Sequence, residues 1–395
     1  MFEFSLTGLR GDNPLGFLAA LGALVTLEDA GHDARLAWDG ARPRLASNPH
    51  WPTTQIPETD QQRRKALTAL LHHSLRRERG AGADNTKRAE DAMDRAKTAC
   101  RKKADEIKKR KLGRGAANEA RRKELEPLEK DLREKTAAFK DLFTRNGADP
   151  CVTLGKNLTA SSAEFIAHVV TAQRLCRRDA RRQVDLAAAY GVSDPTDPGD
   201  RMLASPWALV NGSGHQDFLG TVEELMVHCT TEHLSQALFG PWEPQDEKYS
   251  LRLDPSDDRR YSLMDRDPTA SGNKTLTVWG ANRLAFEALR FFPAMPVRGG
   301  MGICAWRKTE GKWQEHCAVR WPLWSRPVTA QVIHSLLGLR DIWSEEPDAR
   351  PRLRGLGVHA VMESRRIAVG EGANRKFNLT PATPVWADVD VEDSD

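Results

Sequence analysis

The 395-residue sequence contains no run approaching the ~18 consecutive apolar residues of a membrane-spanning helix, so a helical span is not part of its plan. Its start, Met1-Phe2-Glu3-Phe4, lacks the positive charge that opens a secretory signal, and a cytoplasmic protein is expected. Cys100, Cys151, Cys176, Cys229, Cys304 and Cys317 include no Cys-x-x-Cys pair. That spacing excludes a zinc knuckle and fits reduced, packed thiols better than a disulfide frame. No repeat of solenoid length is present. Apolar residues reach only 39%, against about 45–50% in a typical domain, yet eleven Trp and twelve Phe are too much aromatic surface for a disordered chain. A globular protein with one unusually polar part is expected, of two or three domains by length.

The net charge of +4 becomes informative once divided along the chain. Residues 61–145 hold 26 Lys+Arg and 14 Asp+Glu, a net of +12, which leaves 33 against 41, or −8, for the remainder. A concentrated basic excess is the footprint of phosphate binding, because each neutralised phosphate releases condensed counterions. The alternative is a solvated, salt-bridged helical hairpin.

The fold class expected is α+β: a β-α-β-β N-terminal unit, a long basic helical-hairpin insertion, and a mixed α/β C-terminal region with a Trp-rich β-hairpin. Phe2, Phe4 and Leu6 alternate as in a strand; Asn13 caps a helix whose first position is Pro14 and which Gly31 ends; Asp39-Gly40 reads as a type I′ hairpin turn. In the insertion, Ala89, Met93, Ala96, Cys100 and Ile107 keep heptad spacing across 86–112, and Leu125, Leu128, Leu132, Phe139 and Leu142 across 116–143. Gly113 and Gly115 mark the reversal, and Pro127 should kink the second helix. Further helices are expected over 162–190, 222–239 and 281–292, with a strand ending at Trp279. Strands at 303–307 and 313–321 form the Trp-rich hairpin. Composition places boundaries at 1–60, 61–148, 149–270 and 271–395.

Arg174, Arg177, Arg178, Arg181 and Arg182 fall at i, i+3, i+4, i+7 and i+8, which gathers five guanidinium groups on one helical face with only Asp179 among them in sequence. Such a face requires an external anion, a partner's carboxylates or full hydration, and the planar fork of Arg suits phosphate. Lys102, Lys103, Lys108 and Lys109 of the insertion, Arg10 and Asn13 of the first loop, and Arg298 beside Gly299-Gly300 complete the expected nucleic-acid contacts. The loop Asn211-Gly212-Ser213-Gly214-His215-Gln216 combines flexible backbone with neutral donors and acceptors able to read base edges, or else it is an ordinary tight turn. Gly272 with Lys274-Thr275 does not complete a P-loop. No catalytic residue, metal or cofactor is expected: His32-Asp33 has no second pair to complete a two-metal cluster, and Cys229 with His233, although at i, i+4, reads as core packing.

Four segments, taken in order, resemble the large-subunit family of type I CRISPR effector complexes, subtype I-G (formerly I-U). They are Leu6-Thr7-Gly8-Leu9 through Asn13-Pro14-Leu15 to Ala19-Ala20-Leu21-Gly22; Asn211 to Asp217-Phe218; Arg259-Arg260-Tyr261-Ser262-Leu263; and Gly280-Ala281-Asn282-Arg283-Leu284-Ala285 leading to Phe291-Phe292-Pro293. The resemblance implies a non-catalytic subunit in a complex with guide RNA, target double-stranded DNA and the other effector subunits. It implies recognition of the short motif flanking the target, and recruitment of a separate helicase-nuclease. His215-Gln216 stands where the family pattern has more Gly and Asn, and the chain is short for the group. The rival readings are a metal-dependent nuclease of nucleic-acid defence and a basic helical scaffold for acidic protein partners.

Overall fold

The computed structural model describes residues 2–48, 58–76, 83–111, 113–145, 149–155, 157–175, 181–193, 201–210, 217–257, 276–298, 300–309, 316–369 and 376–388. With 52% helix and 22% strand in several separate sheets, the architecture is α+β. The chain divides into two compact units, Met1–Arg76 with Leu154–Asp395, and Arg77–Thr153. This division differs from the composition boundaries because burial, not polarity, sets it. Helix α2 below begins inside the polar stretch, yet its Leu67, Leu71 and Leu75 are buried in the larger unit.

The larger unit opens with strand β1 (Phe2–Ser5), helix α1 (Pro14–Asp29), strands β2 (Asp33–Asp39) and β3 (Arg42–Asn48), and helix α2 (Asp60–Leu75). The strands form an antiparallel sheet in the order β1-β3-β2, with Leu45 opposite both Phe4 and Leu36. Asp39 pairs with Arg42, so the turn residues are Gly40 and Ala41, one position beyond the expected pair. Only Gly40 has positive φ (55°), which rules out the doubly left-handed type I′ turn. Asn13 Oδ1 accepts the N–H groups of Leu15 (2.8 Å) and Gly16 (3.2 Å), and so caps α1. Every residue from Pro14 to Leu27 is buried, so α1 is the central core helix rather than one with a single apolar face.

The smaller unit is a hairpin of helix α3 (Ala83–Lys109), helix α4 (Arg114–Ala120) and helix α5 (Glu126–Arg145). Arg110 bonds Glu124, and the Cys100 thiol is raised first by burial and then by Glu129 and Asp131, so the two arms run antiparallel. Ala96, Cys100, Leu125 and Phe139 are its buried seam. A π-turn at Arg121–Leu125 precedes Pro127. The wider turn accommodates a ring that has no N–H to donate and would crowd the preceding carbonyl. At the reversal it is Lys111 that takes positive φ (47°), with Gly113 at the N-cap of α4 and Gly115 inside it.

The larger unit resumes with helices α6 (Ser162–Leu175) and α7 (Arg181–Ala189), strands β4 (Gly191–Ser193) and β5 (Met202–Ala204), and helices α8 (Phe218–His228) and α9 (Thr231–Phe239). Of the helix expected over 162–190, residues 176–180 lie outside the described residues; the one expected over 222–239 is two, divided at Thr230, whose hydroxyl caps α9. Helix α10 (Trp279–Ala288) starts where a strand was expected to end, and Thr277 contributes only an isolated bridge to Asp246. Helix α10 lies along α1, so close that a β-carbon on Gly22 would collide with the Leu284 carbonyl. Two of the four segments carrying the family resemblance are thus packed against each other in the core.

Strands β6 (Ala294–Val297) and β7 (Gly300–Ile303) form one hairpin. A larger antiparallel sheet holds β8 (Trp306–Lys308), β9 (Cys317–Trp324), β10 (Val358–Val369), β11 (Lys376–Leu379) and β12 (Thr383–Ala387), with helices α11 (Ala330–Leu337) and α12 (Ala349–Gly355) between β9 and β10. The strand expected over 303–307 is interrupted because Ala305 sits at φ 63°, outside the extended region. Of the expected return strand, 313–315 lie outside the described residues. The Trp-rich strand β9 belongs with the N-terminal unit: Trp321 Nε1 donates to Gly11 O and Trp324 Nε1 to Leu36 O, each 2.7 Å. Phe17 packs against Trp38 and Trp321 at centroid distances of 5.6 and 5.5 Å.

Candidate nucleic-acid interface

Of the expected arginine face, Arg181 and Arg182 are engaged by carboxylates of the chain itself. Arg174 ends α6 and is exposed, whereas Arg181 and Arg182 open a different helix, α7; Arg177 and Arg178 lie outside the described residues. Arg182 donates through Nε and one Nη to the two carboxylate oxygens of Glu287, both at 2.7 Å. Arg181 bonds Asp185 at 3.2 Å. Glu287 also accepts from Arg283 Nη1 at 2.8 Å, and both side chains are almost fully buried. Arg283 reaches Leu75 O, while Arg290 holds Asp29 and Val25 O. Burial alone would raise the Glu287 carboxyl, but attraction to Arg182 and Arg283 outweighs it and holds the group far below the usual carboxylate range. This network ties α1, α2, α7 and α10 together. The sequence conceals it because the counterion of Arg182 is 105 positions away.

In the first loop both expected contacts are engaged within the chain. Arg10 is paired with Asp12 at 2.6 Å, and Asn13 caps α1 while donating from Nδ2 to Asp254 at 3.1 Å. Arg298 stays exposed at the turn of the β6–β7 hairpin. The loop 211–216, with its expected readers Asn211, Gly212, Ser213, Gly214, His215 and Gln216, lies outside the described residues, as do Arg259 to Leu263 and Gly272 to Thr275.

On the hairpin the expected lysines divide into two groups. Lys103 lies beside the seam, bonded to Glu106 at 2.8 Å and facing Glu124 at 3.7 Å, so its charge is neutralised by its own unit. Lys102, Lys108 and Lys109 are exposed and form no ion pair within 4 Å among the described residues, although Lys102 attracts Glu106 at longer range. Arg95 and Arg101, not among the expected contacts, share this state. Relative to the buried seam Ala96 and Cys100, these five occupy the outward positions of the heptad, where Asp105 is the one acid between Arg95 and Lys109. At 1.5 Å per residue the stripe runs about 21 Å. The heptad register that locates Arg95 and Arg101 is present in the sequence; what it lacks is the pairing that removes Lys103.

A second cationic group, in the larger unit, has no contiguous sequence signature. The guanidinium carbons of Arg307 and Arg320 lie 4.9 and 4.6 Å from the Trp343 ring centroid. Arg320 is neutralised by Glu363 at 2.7 Å. Arg307 is lowered from its ordinary value by burial first and then by repulsion from Arg320 and Arg340, so its charge is not matched by its neighbours. Lys308 and Arg340 are exposed beside it in sequence or space. Guanidinium stacked on indole keeps its N–H edge available to an anion.

Candidate catalytic groups have other environments. Burial pushes the Cys229 thiol up to about 12, and His233 uses Nδ1 to accept the Thr230 N–H at 3.0 Å as part of the α9 cap. That is a packed cysteine beside a capping histidine, not an activated nucleophile. His32 is buried at the end of α1, and among the described residues no three His, Cys, Asp or Glu side chains converge as metal ligands. Among the described residues no helix is long and apolar enough to cross a membrane. No family model matches the chain, and no curated protein matches it.

Proposed function

We propose that this chain binds the nucleic-acid backbone without cutting it, as a large-subunit component of an RNA-guided interference complex. The observation that carries the binding reading is the outward stripe Arg95, Arg101, Lys102, Lys108 and Lys109, five exposed cations on one helix that form no ion pair within 4 Å among the described residues. Assignment to the interference complex rests on the sequence resemblance, and brings with it guide RNA, target double-stranded DNA, neighbouring subunits and a separately recruited helicase-nuclease as partners. In such complexes base pairing reads the target while protein holds the backbone and reads the flanking motif. The loop 211–216 is the proposed reader of that motif, with Asn211 and Gln216 as the base-contacting amides.

The test is duplex binding by fluorescence anisotropy across a salt series. Simultaneous change of Lys102, Lys108 and Lys109 to Ala should flatten the log–log salt slope by up to about 2.7, roughly 0.9 per lost phosphate contact. Lys103→Ala should leave it nearly unchanged. Gln216→Ala should instead reduce preference among duplexes differing beside the target, by about 1–3 kcal/mol of discrimination. An unchanged slope in the triple variant, with acidic proteins still retained after nuclease treatment, would favour the scaffold reading.

A further inference from the structure

One face of the larger antiparallel sheet carries arginines from three neighbouring strands. Arg307 on β8 lies directly across from Ala318 on β9, and Ala318 lies across from Arg365 on β10; one pair further along, Arg320 on β9 faces Glu363 on β10. With a side-chain period of two, all five residues share that face. Ala318 is fully buried beneath its neighbours. The short 3-10 turn Arg340–Trp343 covers the same face, with the guanidinium carbons of Arg307 and Arg320 4.9 and 4.6 Å from the Trp343 ring centroid.

The arginines of this face are not equally matched. Glu363 serves two of them, accepting from Arg320 Nε at 2.7 Å through one oxygen and from Arg365 Nε at 3.1 Å through the other. Arg320 also donates to Ile342 O at 3.3 Å. The exposed Arg307 side chain forms no ion pair and no hydrogen bond among the described residues, so stacking on Trp343 holds it while its N–H groups stay open to solvent. Arg340 is exposed as well and forms no ion pair within 4 Å among the described residues; Asp341 beside it attracts it but is bonded to Arg352 at 2.6 Å. Burial first, and then repulsion from Arg320 and Arg340, lowers Arg307 from its ordinary value, and a bound anion would relieve that repulsion. On the reading that the chain binds a nucleic-acid backbone, we propose that this sheet face is a second phosphate-binding surface, where Arg307 and Arg340 hold the strand. A phosphodiester backbone presents an anion at every nucleotide and meets the two guanidinium groups in any register, each fork offering two parallel hydrogen bonds. An acidic peptide would need carboxylates at matching positions. Trp343 orients the arginines, and the contact carries no base preference.

The test is duplex anisotropy across a salt series with the full chain. Arg307→Ala should flatten the log–log slope by about 0.9, and the double variant Arg307→Ala with Arg340→Ala by about 1.8, one phosphate contact per guanidinium. Arg307→Lys keeps the charge and should keep the slope. Circular dichroism matching the wild type shows that the variants fold. An unchanged slope in the double variant overturns the proposal, and a slope that flattens in the hairpin triple variant would then leave the nucleic-acid reading standing. An effect of Arg307→Ala with none in the hairpin variant supports the sheet face and removes the hairpin stripe instead. Wild-type chain that binds no duplex removes both. If Arg307→Lys loses as much slope as Arg307→Ala, charge is not what binds, and the proposal fails. Competition identifies the source of the anion: an oligothymidylate should displace the duplex more effectively than an oligoglutamate of equal charge. Oligoglutamate that competes as well, and loses that ability in Arg307→Ala, would overturn nucleic acid in favour of an acidic protein partner.

Discussion

The two units treat positive charge in opposite ways. In the larger unit, arginine goes inward: Arg182, Arg283 and Arg290 converge near Glu287 and Asp29, and their charges hold helices together. In the hairpin, the seam is narrow and built from side chains such as Ala96 and Cys100, so the cations remain at the surface, where some are matched by Glu106, Glu119, Glu124, Glu129 and Asp131 and others are not. Density of arginine in sequence is therefore a poor guide to anion binding. What decides is whether the fold brings each cation a carboxylate.

The contrast is broken most directly at Glu287. Glu287→Gln removes the buried carboxylate that Arg182 and Arg283 share, and a loss of about 3–5 kcal/mol is expected in urea unfolding. Glu124→Gln in the exposed hairpin should leave the unfolding midpoint essentially in place. The same residue gives a pH signature. Its folded carboxyl lies below the ordinary 4.5 because Arg182 and Arg283 outweigh the effect of burial. Its stabilising contribution is therefore complete above about pH 4.5 and is lost as pH falls toward the folded value. Wild-type stability should decline over that acid range, and the Glu287→Gln variant should lack that part of the slope.

Glycine substitutions sharpen the comparison at the level of packing. Gly22→Ala forces α1 and α10 apart and should cost about 1–3 kcal/mol. Gly115→Ala enters open space in α4 and should be neutral or stabilising by up to about 1 kcal/mol, both changes being read by thermal melts. The smallest effect is kinetic. Burial pushes the Cys229 and Cys317 thiols up to about 12, and they lie in the larger unit's core. Cys100 sits in the thin hairpin seam, where local opening should precede global unfolding. Alkylation followed by peptide mass spectrometry should label Cys100 at least about tenfold faster than Cys229 or Cys317; equal rates would mean that the hairpin unfolds only with the rest.

Much of the local structure is legible because it rests on contacts within a few residues. Asn13-Pro14 starts α1, heptads draw the hairpin, and Lys102, Lys108 and Lys109 stay outward by register alone. Helix ends are less legible where a cap competes with an apolar run, as at Thr230, or where one residue leaves the extended region, as at Ala305. The exposure of the hairpin cations is readable from register, whereas the partner of Arg182 and the neighbours of Arg307 are not, since they come from remote segments.

By itself, then, the amino-acid order determined the uneven charge, the amphipathic register of the hairpin and the capped core helix, all consequences of short-range spacing. Only the tertiary structure decided which cations are neutralised, which tryptophans join the first sheet to the last, and where Arg307 meets Trp343. Those outcomes depend on side chains separated by tens to hundreds of residues, whose proximity is set by the packing of α1 against α10 and of β9 against the N-terminal unit.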